Sequence, residues 1–346
     1  MITFEEKAKK INNLIKSSKG KEDNLILKTL FSMIDIEKPK IKKTDNVENL
    51  SNNDLYYKFF PYQFNHSTKY ELLPYFQEVY NRTVTEAGYE PRYKISYNKD
   101  ADFKPYGQTS CYSNEIIINY SFISKMKKKD FDLGIDRHSI STASLITLLH
   151  ETEHTLQYER ALDFASGNDN STKNAMYLLE LISKSYCLEL SQNPNNTQEE
   201  KDFLLKVSNS YAYSFLEHDA NVTSFDLSQN LIKSEYLRVY DNAISKKARK
   251  FLGYNLFDGK IDDYIEKAEE MQSLFESYAN FIDEHLENGE IKNKMLSTVN
   301  NYLKKDSKGN SKFKNDLIKD YQRCISYTNL SKIEISKKEN ESMQLV

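Results

Sequence analysis

Leu148–Gln157 reads LLHETEHTLQ: two histidines stand four residues apart, and a glutamate directly follows the first. The stretch lies inside Ser139–Gly167, SISTASLITLLHETEHTLQYERALDFASG, whose pattern predicts one long helix. Ser139 or Ser141 can cap its start, since a hydroxyl there accepts an orphan backbone N–H. Gly167 can end it in the left-handed conformation that costs glycine little. Two segments ahead of this helix read as strands. Arg92–Lys99, RYKISYNK, alternates apolar and polar residues, and Asn114–Ile123, NEIIINYSFI, is rich in β-branched side chains. Gly107 and the polar residues around it are expected to turn the chain between them.

His150, Glu151 and His154 form an HExxH sequence. Residues four apart share one helical face, one turn up, so both imidazoles can reach a single ion. Glu151 sits about 100° round from His150 and flanks that ion, where its carboxylate can hold a water. Zinc is the ion this pattern suits: three protein ligands leave a fourth position for water and bring its pKa toward about 7. Two histidines on a helix are often ordinary surface residues. This chain has only 6 histidines, however, so a random match is expected on the order of once in a hundred such chains. The motif also follows the apolar run Leu145, Ile146, Leu148 and Leu149, which buries the helix and makes an unsatisfied polar pair costly.

A third ligand must come from elsewhere, because an extended HExxHxxGxxH pattern would need glycine and histidine where the chain has Gln157 and Arg160. The best candidate lies in Ser214–Phe225, SFLEHDANVTSF, on a helix expected to start at a Thr197–Glu200 capping box and run toward Ile232. On that helix Glu217 shares its face with Phe203, Val207, Ser210, Ser214, Ala220, Asn221 and Ser224. Small neighbours around the carboxylate let another helix approach. Asp219 points about 200° away and His218 about 100° away, so they are the fallback ligands. Asn221, one turn on, is placed to hydrogen-bond a metal-bound imidazole; Asp219 reaches that role only if the helix is distorted.

HExxH on one helix with E-x-x-A-N on a later one (Glu217 to Asn221) resembles the gluzincin branch of zinc metallopeptidases. NEIIIN ahead of LLHETEHTLQ is similar to the strand-then-helix core of bacterial zincin-like domains, where a glutamine often follows the second histidine, as Gln157 does here. The resemblance covers roughly residues 90–232. It implies an α+β, predominantly helical fold: a zincin-like core with a small sheet packed on the HExxH helix, plus helical extensions at both ends. It also implies peptide-bond hydrolysis with zinc on His150, His154 and Glu217 and with Glu151 as general base. The strand Glu115–Asn119 would then be the sheet edge for an extended peptide or protein substrate. Tyr213 is the first candidate to stabilise the oxyanion, with Tyr236, Tyr240 and His218 as further options.

The rest of the chain bounds this reading. Nine glycines and 6 prolines in 346 residues favour long helices, and 29% charged residues suit a well-hydrated surface. A net charge of -3 argues against a nucleic-acid partner. Scattered Cys111, Cys187 and Cys324 point to reduced thiols. The N-terminus lacks an apolar signal core and no run is long enough to span a membrane, so a cytoplasmic protein is expected, with export by a signal-less route left open. Three regions are expected: a helical region and linker over 1–54, a metallopeptidase-like domain over 55–232, and a helical region over 233–346 that can belong to the same domain. The helical ends could dock a protein partner. A non-catalytic or regulatory binding protein built on the same domain is the alternative reading.

Overall fold

The computed structural model describes residues 4–17, 23–33, 47–59, 63–64, 67–98, 107–110, 113–119, 138–191, 197–199, 201, 214–232 and 261–323. Helices α1 (Phe4–Ser17), α2 (Asp23–Met33), α3 (Asn52–Tyr57) and α4 (Lys69–Glu86) precede three short strands: β1 (Lys94–Tyr97), β2 (Gly107–Ser110) and β3 (Glu115–Ile118). Then come α5 (His138–Ala165), α6 (Thr172–Ser191), α7 (Phe215–Ile232), α8 (Ile261–His285) and α9 (Glu290–Leu303), followed by a helix over 312–323, here α10. The chain is α+β and mostly helical, with one small sheet. Among the described residues no helix is long and apolar enough to cross a membrane.

The sheet departs from expectation. Its order is β1-β3-β2, with β3 parallel to β1 and antiparallel to β2. The segment at Gly107 is therefore a strand rather than a turn, and Glu115–Ile118 is the central strand rather than an edge. GQTS has little strand preference of its own. It is held by pairing Thr109 with Ile116 and Gly107 with Ile118, a tertiary effect that local pattern does not report.

Two apolar clusters make the core. The first joins α4 and the sheet through Phe76, Val79, Ile95, Ile116 and Ile118. The second joins α1 and α2 to α6, α8, α9 and α10 through residues such as Leu27, Leu178, Phe275, Val299 and Phe313. Helix α5 belongs to both. Leu145, Leu148, Leu149 and Leu156 enter the first cluster; Ile146, Ala161, Leu162 and Phe164 enter the second. A helix enclosed on several sides must also satisfy its polar residues. Buried Glu159 takes the guanidinium of buried Arg92 at 2.8 Å, and Asp163 accepts from the Tyr89 hydroxyl at 2.9 Å.

The helix ends follow local rules in part. Thr68 and Glu71 form a reciprocal capping box at the start of α4. Gly167, at φ 72, closes α5 as expected. Helix α5 begins at His138, so Ser139 and Ser141 lie within it rather than capping it. Ser214 is not helical, so the helix bearing Glu217 starts at Phe215 and does not run unbroken from Thr197. Phe203, Val207 and Ser210, used to orient Glu217, lie outside the described residues.

Candidate metal centre

Helix α5 sets His150 and His154 one turn apart. Their rings meet edge to face with centroids 4.7 Å apart, and their Nε2 atoms are 3.1 Å apart. Helix α7 packs along α5 and brings Glu217 to the pair. Fully buried Ala220 and Ser224 on α7 allow the close approach. Glu217 Oε2 is 3.3 Å from His150 Nε2, and Oε1 is 3.4 Å from His154 Nε2. The three side chains offer ligand atoms that all lie within 4.8 Å of one another.

These separations fit one cation. Two donors at about 2.0–2.1 Å from a tetrahedral zinc stand about 3.3 Å from each other. Glu217 Oε2 is buried and, among the described residues, has no hydrogen-bond partner of proper geometry. Three electron-rich atoms turned on one point repel unless a positive charge joins them. Burial pushes the His154 imidazolium down, but the Glu217 carboxylate beside it prevails and raises it to about 9. Burial likewise pushes Glu217 up; the two imidazoles outweigh it and hold the carboxyl far below the usual carboxylate range. Glu217 also stands in the first turn of α7, where the helix dipole favours an anion.

The fallback ligands are turned elsewhere. Asp219 is buried against Lys173, with Nζ to Oδ1 at 2.5 Å, and accepts the Tyr177 hydroxyl. Burial would raise its pKa, and Lys173 prevails and lowers it. His218 stacks on Phe215, meets Tyr321 edge-on at 4.9 Å, and has Nε2 3.5 Å from Asp320 Oδ2. Asn221 is half-buried one turn beyond Glu217. At His154 the Nδ1 atom meets Gln157 Oε1 at 2.9 Å. Tyr213, Tyr236 and Tyr240 lie outside the described residues.

Glu151 faces the sheet. Its carboxylate accepts from the Thr109 hydroxyl on β2 at 2.8 Å, and that hydroxyl also lies 2.9 Å from the Glu151 backbone carbonyl. One hydroxyl proton serves these two acceptors in turn. Gly107 makes the approach of strand to helix sterically feasible: a Cβ there would lie 2.8 Å from both Glu151 Cγ and Thr147 Cγ2.

The start of α7 explains how Glu217 is free to point into the centre. Ser214 and Glu217 have the spacing of a capping box, in which the acid folds back on the cap residue's N–H. Here the acid goes to the histidines, and Glu180 of α6 takes over at the helix end. Fully buried Glu180 accepts the Ser214 hydroxyl and the Leu216 N–H at 3.1 Å, and pairs with Lys184 at 2.6 Å. Thr109, Gln157 and Glu180 stand outside the His-His-Glu donor set, and the HExxH spacing alone does not point to Thr109 or Glu180. Only Gln157 had a positional signal, three residues past His154 on the same face.

No protein-family description, curated protein or solved structure matches the chain. The functional reading therefore rests on the geometry itself.

Proposed function

We propose that the chain is a metal-dependent hydrolase of peptide bonds, built on a zincin-like arrangement of the gluzincin type. The observation that carries this reading is the convergence of His150, His154 and Glu217 with a buried glutamate, Glu151, one residue beyond the first imidazole. The chemistry of two imidazoles and one carboxylate suits zinc, and a divalent cation held there supplies Lewis acidity toward a substrate carbonyl and toward water. Glu151 takes a proton from the attacking water and passes it to the departing amine. Thr109 holds that carboxylate in place. Strand β2, the outer strand beside α5, gives an extended peptide an edge to pair with.

A site used only for structure has no need of a free base beside its ligands, which favours catalysis over the regulatory alternative. Metal analysis of the purified protein, followed by peptide hydrolysis with wild type and Glu151→Gln, tests the reading. Co-purified or tightly bound zinc and hydrolysis abolished in the variant support it. A protein that binds no divalent metal, or whose hydrolysis is untouched by Glu151→Gln, overturns it.

A further inference from the structure

We propose that Gln157 is a positioning residue with two ends: it fixes the orientation and tautomer of His154, and it locks α5 in register with the helix that carries Glu217. The proposal rests on the metal-site part of the reading above and not on the reaction.

The argument follows from what each atom can accept. The Leu216 carbonyl is an acceptor only, and one end of the Gln157 amide lies 2.8 Å from it. That end must be the NH2 group. The same group lies 3.5 Å from Asp219 Oδ2, another acceptor. The opposite end is therefore the carbonyl oxygen, which faces His154 Nδ1 at 2.9 Å. An oxygen there requires Nδ1 to carry a proton. In the neutral ring this leaves the lone pair on Nε2, the atom that points at His150 and Glu217.

The second end has its own consequence. Leu216 directly precedes Glu217, so the amide ties one ligand to the backbone beside another, across two helices. Gln157 is itself 1% exposed, and water has little access to replace either bond. Asp219, fixed by Lys173 and Tyr177, closes the amide in from behind. Sliding α7 along α5 would break the Leu216 bond and turn the oxygen away from His154 together. The interhelical register and the imidazole's aim are thus set by one side chain.

The test uses the full chain with Zn2+ alone. Gln157→Met keeps the length and bulk and removes both hydrogen bonds; its Zn2+ affinity, measured by chelator competition, should fall about 10- to 100-fold. In the zinc-loaded wild type labelled with 15N-histidine, a slowly exchanging Nδ1–H assigned to His154 should be seen, and Gln157→Met should lose it. Gln157→Glu keeps an oxygen for His154 but cannot donate to Leu216, so it should retain the Nδ1–H signal while binding Zn2+ more weakly. A merely supportive role would change thermal stability but neither the protected proton nor the affinity of the folded protein. Wild-type affinity and an intact signal in Gln157→Met overturn the proposal while leaving the metal reading standing. If Gln157→Met does not fold, the wild-type spectrum decides, and no protected Nδ1–H on His154 overturns it. A wild type that binds no Zn2+ removes the metal reading and this proposal together.

Discussion

The two faces that enclose the candidate centre are built differently. On the helical face, charged groups of α6 and α7 gather against and behind α5: Glu217 at the histidines, Glu180 at the start of α7, and buried Asp219 with exposed Lys173 behind Gln157. On the sheet face, a short outer strand offers one hydroxyl and one glycine to Glu151. The first face holds groups suited to a cation, and the second holds the group suited to moving a proton. On the proposed reading, binding and chemistry fall on adjoining faces of one helix, about 100° apart. Changes on the sheet side should leave metal binding in place, whereas loss of the metal takes hydrolysis with it.

The largest break comes from the helical face. Glu217→Ala removes a donor outright, and Zn2+ affinity by competition should fall by more than about 100-fold, beyond the range for a supporting residue, with hydrolysis lost alongside. Next is Glu151→Gln, which should keep wild-type Zn2+ affinity while peptide hydrolysis falls about 10²- to 10⁴-fold. Equal loss of metal in both variants would erase the division between the faces. Smaller effects follow on the sheet side. Thr109→Val removes a hydrogen bond to a charged group and should slow turnover about tenfold at unchanged metal affinity. Gly107→Ala forces a methyl against the stiff Thr147 side chain and Glu151, and should lower unfolding stability by about 1–3 kcal/mol in a denaturant titration.

A further effect, on the helical face alone, is set by a proton. His154 is raised to about 9 by Glu217 against the opposing effect of burial. In the metal-free protein the resulting stabilisation is complete below about pH 6.5 and is lost as pH rises through about 9. A bound cation must displace that proton, so Zn2+ affinity should climb with pH, by at most about tenfold per unit, and level off near pH 9. Calorimetry in buffers of different ionisation enthalpy should register the released proton at pH 7.

Much of the helical face was legible in the sequence. The HExxH spacing, the closing Gly167 and the choice of Glu217 over its neighbours all follow from one helical period. The continuous helix expected through Ser214 is not formed, because Ser214 itself is not helical. The pattern Ser214-Phe-Leu-Glu217 marks a helix start instead, and its acid is diverted from the usual capping partner because Glu180 supplies one from another helix. Nothing local announces Glu180, which is one buried carboxylate among many glutamates. The sheet face was nearly illegible. GQTS reads as a turn, and only pairing with the isoleucines of β3 makes it a strand. Thr109 acquires its role through that pairing alone.

Phe215, the first residue of the Glu217 helix, packs on Phe275 and Phe313, and His218 beside it rests on Tyr321. The acid that completes the three-donor set thus leans on aromatic rings that the ribosome adds long after both histidines. A chain truncated before those rings should therefore keep the HExxH helix while leaving the third donor without the packing that seats it.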